Sequence, residues 1–162
     1  NMKNVLIDHQ QKQYCLRTMQ DADLSAIITI ENSAQAHPWT EAHFRSSLSS
    51  SHQCYVLEAC EPSAIVAYAI TSTAADEAEL LNITVAPQYQ RQGVGRLLLT
   101  QISALFNDSI HTLFLEVRAA NTQAIALYDA LYFNEVGVRP NYYPNKNGRR
   151  EDALIMAKPL SM

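Results

Sequence analysis

Between Glu77 and Phe106 the chain runs a strand, a glycine-bearing turn and an amphipathic helix into one another with almost no slack. Glu79, Leu81 and Ile83 alternate with Leu80, Asn82 and Thr84, which is the period of a strand. Ala86-Pro87 closes that strand at Val85, because proline has no N–H to give a ladder. From Gly93 onward, Val94, Leu97, Leu98, Ile102 and Leu105 share one side of a helix reaching Phe106. A helix tied this closely to a strand buries its stripe most simply on a sheet face, so the chain is of the α/β kind.

The remaining elements extend that unit. Tyr14 to Arg17 reads as a short strand, and Asp21 to about Ser33 as a helix with Leu24, Ile27, Ile28 and Glu31 at helical spacing. Pro38 interrupts, and Thr40 caps a second helix from Glu41 to Leu48. Gln53 to Ala59 and Ile65 to Ser72 make a hairpin around Pro62. After the glycine unit come a buried strand from Thr112 to Arg118 and a helix from Asn121 to Leu131. Strands from Phe133 to Val138 and from Asp152 to Ala157 follow. The order predicts a mixed α/β sheet with helices on its faces.

Nothing divides this order: there is no repeat, low-complexity tract or linker. A length of 162 residues suits a single domain over residues 2–162, with Asn1 before Met2 read as a tag remnant. Hydrophobic residues at 48% against 17% charged fit a globular chain. The net charge of -4 argues against direct nucleic-acid binding, which needs a basic surface to displace counterions. An acidic surface favours a basic partner instead. Cys15, Cys54 and Cys60 are an odd set at irregular spacing, as expected of reduced thiols in a cytoplasmic protein. No apolar run reaches the roughly 20 residues of a membrane span, and no signal peptide is visible. The five histidines show no ligand spacing, so no metal is expected. The Asn82-Ile83-Thr84 sequon lies in a strand predicted to be buried and is set aside as a glycosylation site.

The turn Gln90-Arg91-Gln92-Gly93-Val94-Gly95-Arg96 is the place for chemistry. Glycines let a backbone come close to a ligand. The helix start offers free N–H groups and a positive dipole end, both suited to phosphate, and Arg91 and Arg96 add charge. The third glycine of the dinucleotide fingerprint and the Gly-Lys-Ser/Thr ending of a P-loop are both missing. With an antiparallel run ahead of the turn, this excludes a Rossmann dinucleotide binder.

In its setting, residues 82–95 resemble the acetyl-coenzyme A signature of the GNAT N-acetyltransferases, through Gln90, Gly93 and Gly95. Leu115 to Asn121, Ala126-Leu127-Tyr128, Asn141-Tyr142-Tyr143-Pro144 and His37-Pro38-Trp39 are similar to the RimI branch of that family. Its members acetylate the N-terminal α-amine of the eighteenth small-subunit ribosomal protein of bacteria. The resemblance implies the GNAT fold, a single splayed mixed sheet of about seven strands flanked by about four helices. It implies acetyl-CoA as co-substrate, with the backbone of Ile83, Thr84 and Val85 along its pantetheine arm. Arg91, Gln92, Gly93, Val94, Gly95 and Arg96 would sit around the pyrophosphate, and Asn121 would contact the coenzyme as well as capping its helix. The implied partner is the N-terminus of a ribosomal protein, met by a monomer or weak dimer.

Acetyl transfer needs a neutral amine and a proton for the departing thiolate. An α-amine titrates near about 8, so a modest base suffices. Glu116 sits on a strand whose faces carry Leu113, Leu115 and Val117 on one side and Phe114 on the other; a carboxylate there needs a partner or a task. Arg118 or another cation is the structural alternative, and the resemblance implies the base. Glu79 is a rival base, with a strand residue facing solvent as its plain reading. Tyr128 lies on the apolar face of its helix and reads as a core tyrosine; the resemblance implies the acid. Trp39, Tyr142 and Tyr143 are expected to wall the peptide groove, although Trp39 serves equally as a core anchor. The family usually has Leu-Gly-Phe where this chain has Leu131-Tyr132-Phe133. Tyr132 must then adopt the positive φ of a helix cap, or the turn differs. Two other readings use the same coenzyme: transfer to a lysine side chain, polyamine or small metabolite, and a non-catalytic acetyl-CoA-binding module.

Overall fold

The computed structural model describes residues 4–106, 108–145 and 147–160; the Asn1–Met2 junction lies outside them. Eight strands line up in one sheet, in the order β1-β2-β3-β4-β5-β6-β8-β7. The strands are β1 (Val5–His9), β2 (Lys12–Thr18), β3 (Gln53–Cys60), β4 (Ser63–Ala74), β5 (Glu77–Val85), β6 (Thr112–Arg118), β7 (Asn134–Pro144) and β8 (Arg150–Pro159). The α-helices are α1 (Leu24–Ala34), α2 (Glu41–Leu48), α3 (Val94–Leu105) and α4 (Thr122–Ala130). The sheet is mixed: β5 and β6 pair in parallel from Glu77–Thr112 to Leu80–Leu115, while β6 with β8 and β7 with β8 are antiparallel.

The chain divides into two compact units. The first holds the described residues up to Ser72 together with Asn82–Leu105; the second holds Thr73–Leu81 and the described residues from Phe106 on. In the first, α1 buries Leu24 and Ile27 and α2 buries Phe44, while α3 buries Val94, Leu98, Leu99 and Ile102. The α3 stripe is turned one position from the expected one, so Leu99 is inside and Leu105 is 40% exposed. In the second unit, Leu113, Leu115 and Val117 of β6 are buried along with Leu131, Phe133, Ala153 and Met156.

β2, β4 and β8 run one or two residues past their expected ends, and two further strands depart more from the sequence expectation. β1 was not expected; it closes on β2 through Gln10 and Gln11, at φ 49 and 65. Positive φ at both central residues is the type I′ pattern that suits strand twist, but it is normally signalled by Asn-Gly or Asp-Gly. β7 runs six residues beyond the expected end at Val138, to Pro144. Pro140 and Asn141 look like loop residues, yet they lie in an irregularity of the β7–β8 register between Arg139 and Tyr143. Asn141 takes φ 52 there, and Arg150 Nε donates to its carbonyl at 2.8 Å while Asn141 N–H donates to Asp152 Oδ1 at 2.9 Å. A bulge accommodates residues a regular strand would refuse.

Candidate active site

The turn after β5 is built from its own side chains. Ala86 N–H donates to Val66 O at 2.9 Å, and a single 3-10 turn over Pro87–Tyr89 follows. Gln90 Nε2 donates back to Val85 O at 3.0 Å, and Gln92 Nε2 to Gln88 O at 3.1 Å. Both glutamine side chains are thereby committed to shaping the turn. Arg91 and Gly93 adopt φ 61 and 78. Left-handed residues in a tight turn let successive N–H groups converge on one point, as an anion-binding nest requires. Leu97 N–H donates to Gly93 O at 3.0 Å, and the helix amides before it have no carbonyl one turn back to bond. A Cβ on Gly93 would meet His9 Nε2 at 3.5 Å, ordinary contact, so φ and not space demands glycine. His9 Nε2 itself is buried without a hydrogen-bond partner among the described residues. Exposed Arg91 and Arg96 complete a site whose donors and charge fit the diphosphate of a coenzyme.

In the second unit, strand register gathers the titratable groups on one face. Glu79 pairs with Phe114, and Glu116 and Arg118 follow on the same side of β6. Ala153, opposite Arg118 on β8, is also opposite Arg139 on β7. Arg139 Nε donates to Glu116 Oε1 at 2.7 Å, with side chains 52% and 19% exposed. The cation on Glu116 is therefore Arg139 and not Arg118. Arg118 goes instead to Glu151 at 3.3 Å and lies 4.4 Å over the Tyr143 ring. Arg139 lies 5.4 Å over Tyr142, whose ring meets that of Tyr143 edge-on at 5.0 Å. Two arginine–carboxylate pairs, Arg139–Glu116 and Arg118–Glu151, each thus carry a tyrosine against the guanidinium. Burial pushes the Tyr143 phenol up to about 12, with Glu116 and Glu79 among the neighbours that add to the rise.

Tyr128 is half-buried on α4, its ring 5.7 Å from that of Phe133. Burial, and then Tyr143, push its phenol up to about 12. Asn121 caps α4 as expected, its Oδ1 accepting from Ala124 N–H at 3.2 Å. At the other end of α4, Tyr132 bears the left-handed backbone at φ 70. Tyr132 N–H donates to Asp129 O and Phe133 N–H to Tyr128 O, both at 3.0 Å, which is the Schellman pattern without its usual glycine.

Trp39 is half-buried, its ring tilted against Phe44 at 5.3 Å and 5.8 Å from His43, so it has the packing of an anchor while keeping an open side. Its backbone N–H donates to Glu31 Oε2 at 2.9 Å. Glu31 appeared in the sequence as one more member of a helical stripe, yet it is 1% exposed and collects hydrogen bonds from Tyr68, Asn82 and Thr84 as well. The available signal was a carboxylate on the apolar side of a helix. Among the described residues no group of three or more His, Cys, Asp or Glu side chains could hold a metal ion, and no helix is long and apolar enough to cross a membrane.

The model of the acetyltransferase (GNAT) family matches residues 24–133. The [ribosomal protein bS18]-alanine N-acetyltransferase of Escherichia coli strain K12 is 47% identical over 148 residues, covering 91% of this chain and 98% of that one. The crystal structure of the ribosomal-protein-S18-alanine N-acetyltransferase from Escherichia coli superposes with a TM-score of 0.78 at 44% identity, covering 92% of this chain and 95% of that one. Arabidopsis thaliana NAA60 in complex with acetyl-CoA has the same fold, with a TM-score of 0.78 at 15% identity over 91% of this chain and 98% of that one.

Proposed function

Because the chain belongs to the GNAT family of acetyltransferases and is an acetyl-CoA-dependent N-acetyltransferase, we propose that it acetylates the N-terminal α-amine of the ribosomal protein bS18. The first residue of that protein would be alanine. The likeness that supports this substrate runs over nearly the whole length of the Escherichia coli enzyme named for the reaction. A ribosomal substrate would place the protein in the cytoplasm, acting as one acetyltransferase domain.

When bound, acetyl-CoA supplies the acetyl group as a thioester whose thiolate leaves. The backbone of Ile83, Thr84 and Val85 would receive the pantetheine arm, and the amides of Arg91, Gln92, Gly93, Val94, Gly95 and Arg96 the diphosphate. Asn121, with Oδ1 engaged in its cap, keeps its amide hydrogens for the coenzyme. Glu116 would take up the proton that the amine releases. Arg139 occupies Glu116 Oε1, so the amine is received at Oε2. Tyr128 would deliver the proton to the leaving thiolate, a role suited to a phenol that burial keeps protonated. Glu79, Tyr142 and Tyr143 of the second unit, and Trp39 of the first, would each contact the peptide, and Glu79 is a second carboxylate on the sheet face of Glu116.

Glu116→Gln keeps an oxygen for Arg139 and removes the basic site. It should fold normally and lose about 100-fold or more in kcat with a bS18 N-terminal peptide. Turnover near that of the parent enzyme at pH about 7 would remove Glu116 from the mechanism. Mass spectrometry of ribosomes from cells with and without the enzyme tests the substrate: bS18 should lose its N-terminal acetyl group. Acetyl groups found instead on lysine side chains, or transfer to a peptide whose N-terminus is blocked, would redirect the reading to another amine.

A further inference from the structure

Glu31 is a buried carboxyl group of the first unit, held by several hydrogen bonds, that the reaction above does not use. Its Oε1 accepts from Tyr68 OH at 2.6 Å, and Asn82 Nδ2 lies 3.4 and 3.3 Å from its two oxygens. The Thr84 hydroxyl is placed both for Glu31 Oε1 at 3.2 Å and for Asn82 Oδ1 at 2.8 Å, and itself accepts from Gln35 Nε2 at 2.7 Å. Trp39 N–H closes the set on Oε2 at 2.9 Å. These donors are neutral, so the carboxylate is held by oriented hydrogen bonds rather than by a counter-charge. That arrangement is costly to disturb and directional.

The connections form a closed ring through space. The Trp39 ring packs tilted against Phe44 at 5.3 Å, and Phe44 meets Tyr68 edge-on at 5.9 Å. Tyr68 donates to Glu31, and Glu31 takes the backbone N–H of Trp39. Trp39 is therefore fixed twice, by its ring and by its amide, and both ties lead to the same carboxylate. Gln35 adds a third tie, from the end of α1 to Thr84. Asn82 and Thr84 belong to the last stretch of β5, whose buried face points at Glu31 while Ile83 and Val85 point the other way. β5 has backbone pairing of its own, so what depends on Glu31 is the segment over residues 35–39.

We propose that Glu31 is a positioning residue for the acceptor: its carboxylate sets residues 35–39 against the end of β5 and so fixes the place of Trp39 beside the incoming peptide. This rests on the reading of Trp39 as a peptide-lining residue. The test uses the full chain and the Glu31→Gln variant, which keeps shape and one acceptor but turns an NH2 group towards the donors. Trp39 is the only tryptophan of the sequence, so its fluorescence reports this segment alone. In Glu31→Gln, acrylamide quenching of Trp39 should rise about twofold and KM for a bS18 N-terminal peptide about tenfold, with kcat and the KM for acetyl-CoA within about twofold of the parent. Unchanged quenching, or a rise in both KM values alike, overturns the assignment. Should Glu31→Gln fail to fold, Tyr68→Phe removes only the hydroxyl on Oε1 and leaves the ring against Phe44. The same split is expected there at about threefold. If the parent enzyme leaves the peptide unacetylated, the reading of the substrate fails, and the quenching comparison still decides the role of Glu31.

Discussion

Tyr132 shows how much one residue can disclose. Its place after α4 demands a left-handed backbone, and the chain meets that demand with a tyrosine that is 76% exposed. Such a side chain has little packing to offset a strain of about 1 kcal/mol. Tyr132→Gly should therefore raise stability by about 0.5–1 kcal/mol and Tm by about 1–3 °C, read by thermal unfolding, with kcat unaffected. A lowered Tm would mean that the tyrosine ring contributes more than its backbone costs. Tyr128 makes a different prediction. With its phenol pushed up to about 12, kcat should show no alkaline limb near about 10, where an ordinary phenol titrates. Tyr128→Phe should reduce kcat about 100-fold while the protein stays folded; an unchanged kcat would return Tyr128 to a packing role. The sequence announced both residues. It could not announce the partner of Glu116, since Arg118 and Arg139 are equally good cations on paper. The choice of Arg139, 23 residues away, is made by the register of β6, β8 and β7.

At the scale of elements, legibility followed locality. α2, β5 and β6 occupy the bounds expected for them, because alternation, a Thr40 cap and a terminating Pro87 are written within the elements themselves. Thr40 Oγ1 accepts from His43 N–H at 3.2 Å, as a cap should. β1 and the end of β7 were illegible because glutamines do not advertise a type I′ turn and a proline argues against a strand. The glycine turn was legible in kind but not in detail. Gly93 needs its φ of 78, and Arg91 shares the left-handed conformation without being glycine. Gly93→Ala should cost about 1 kcal/mol in stability and raise the KM for acetyl-CoA at least fivefold, on the order of the loss of one amide contact, with the peptide KM little changed. Equal KM values for acetyl-CoA in the two proteins would separate this turn from coenzyme binding.

For the molecule as a whole, the buried phenols set an alkaline limit. Burial raises Tyr55, Tyr68, Tyr128 and Tyr143, the last two to about 12, so the folded chain holds protons that the unfolded chain releases near about 10. Stability from these groups is complete below about 10 and falls as pH rises from there through about 12. Urea unfolding at pH about 8, 10 and 11 should give a midpoint that is level at first and then drops; a constant midpoint would mean that the phenols ionise without unfolding. The sequence by itself determined the mixed α/β order, the glycine turn and the family, because strand period, glycine placement and helix caps are properties of a few consecutive residues. The tertiary structure alone decided which distant polar groups meet. Glu31 looked like a helix-stripe residue until Thr84, 53 residues on, and Tyr68, 37 residues on, were brought to it. A buried carboxylate must find its donors wherever the fold delivers them, and no local pattern records which ones those will be.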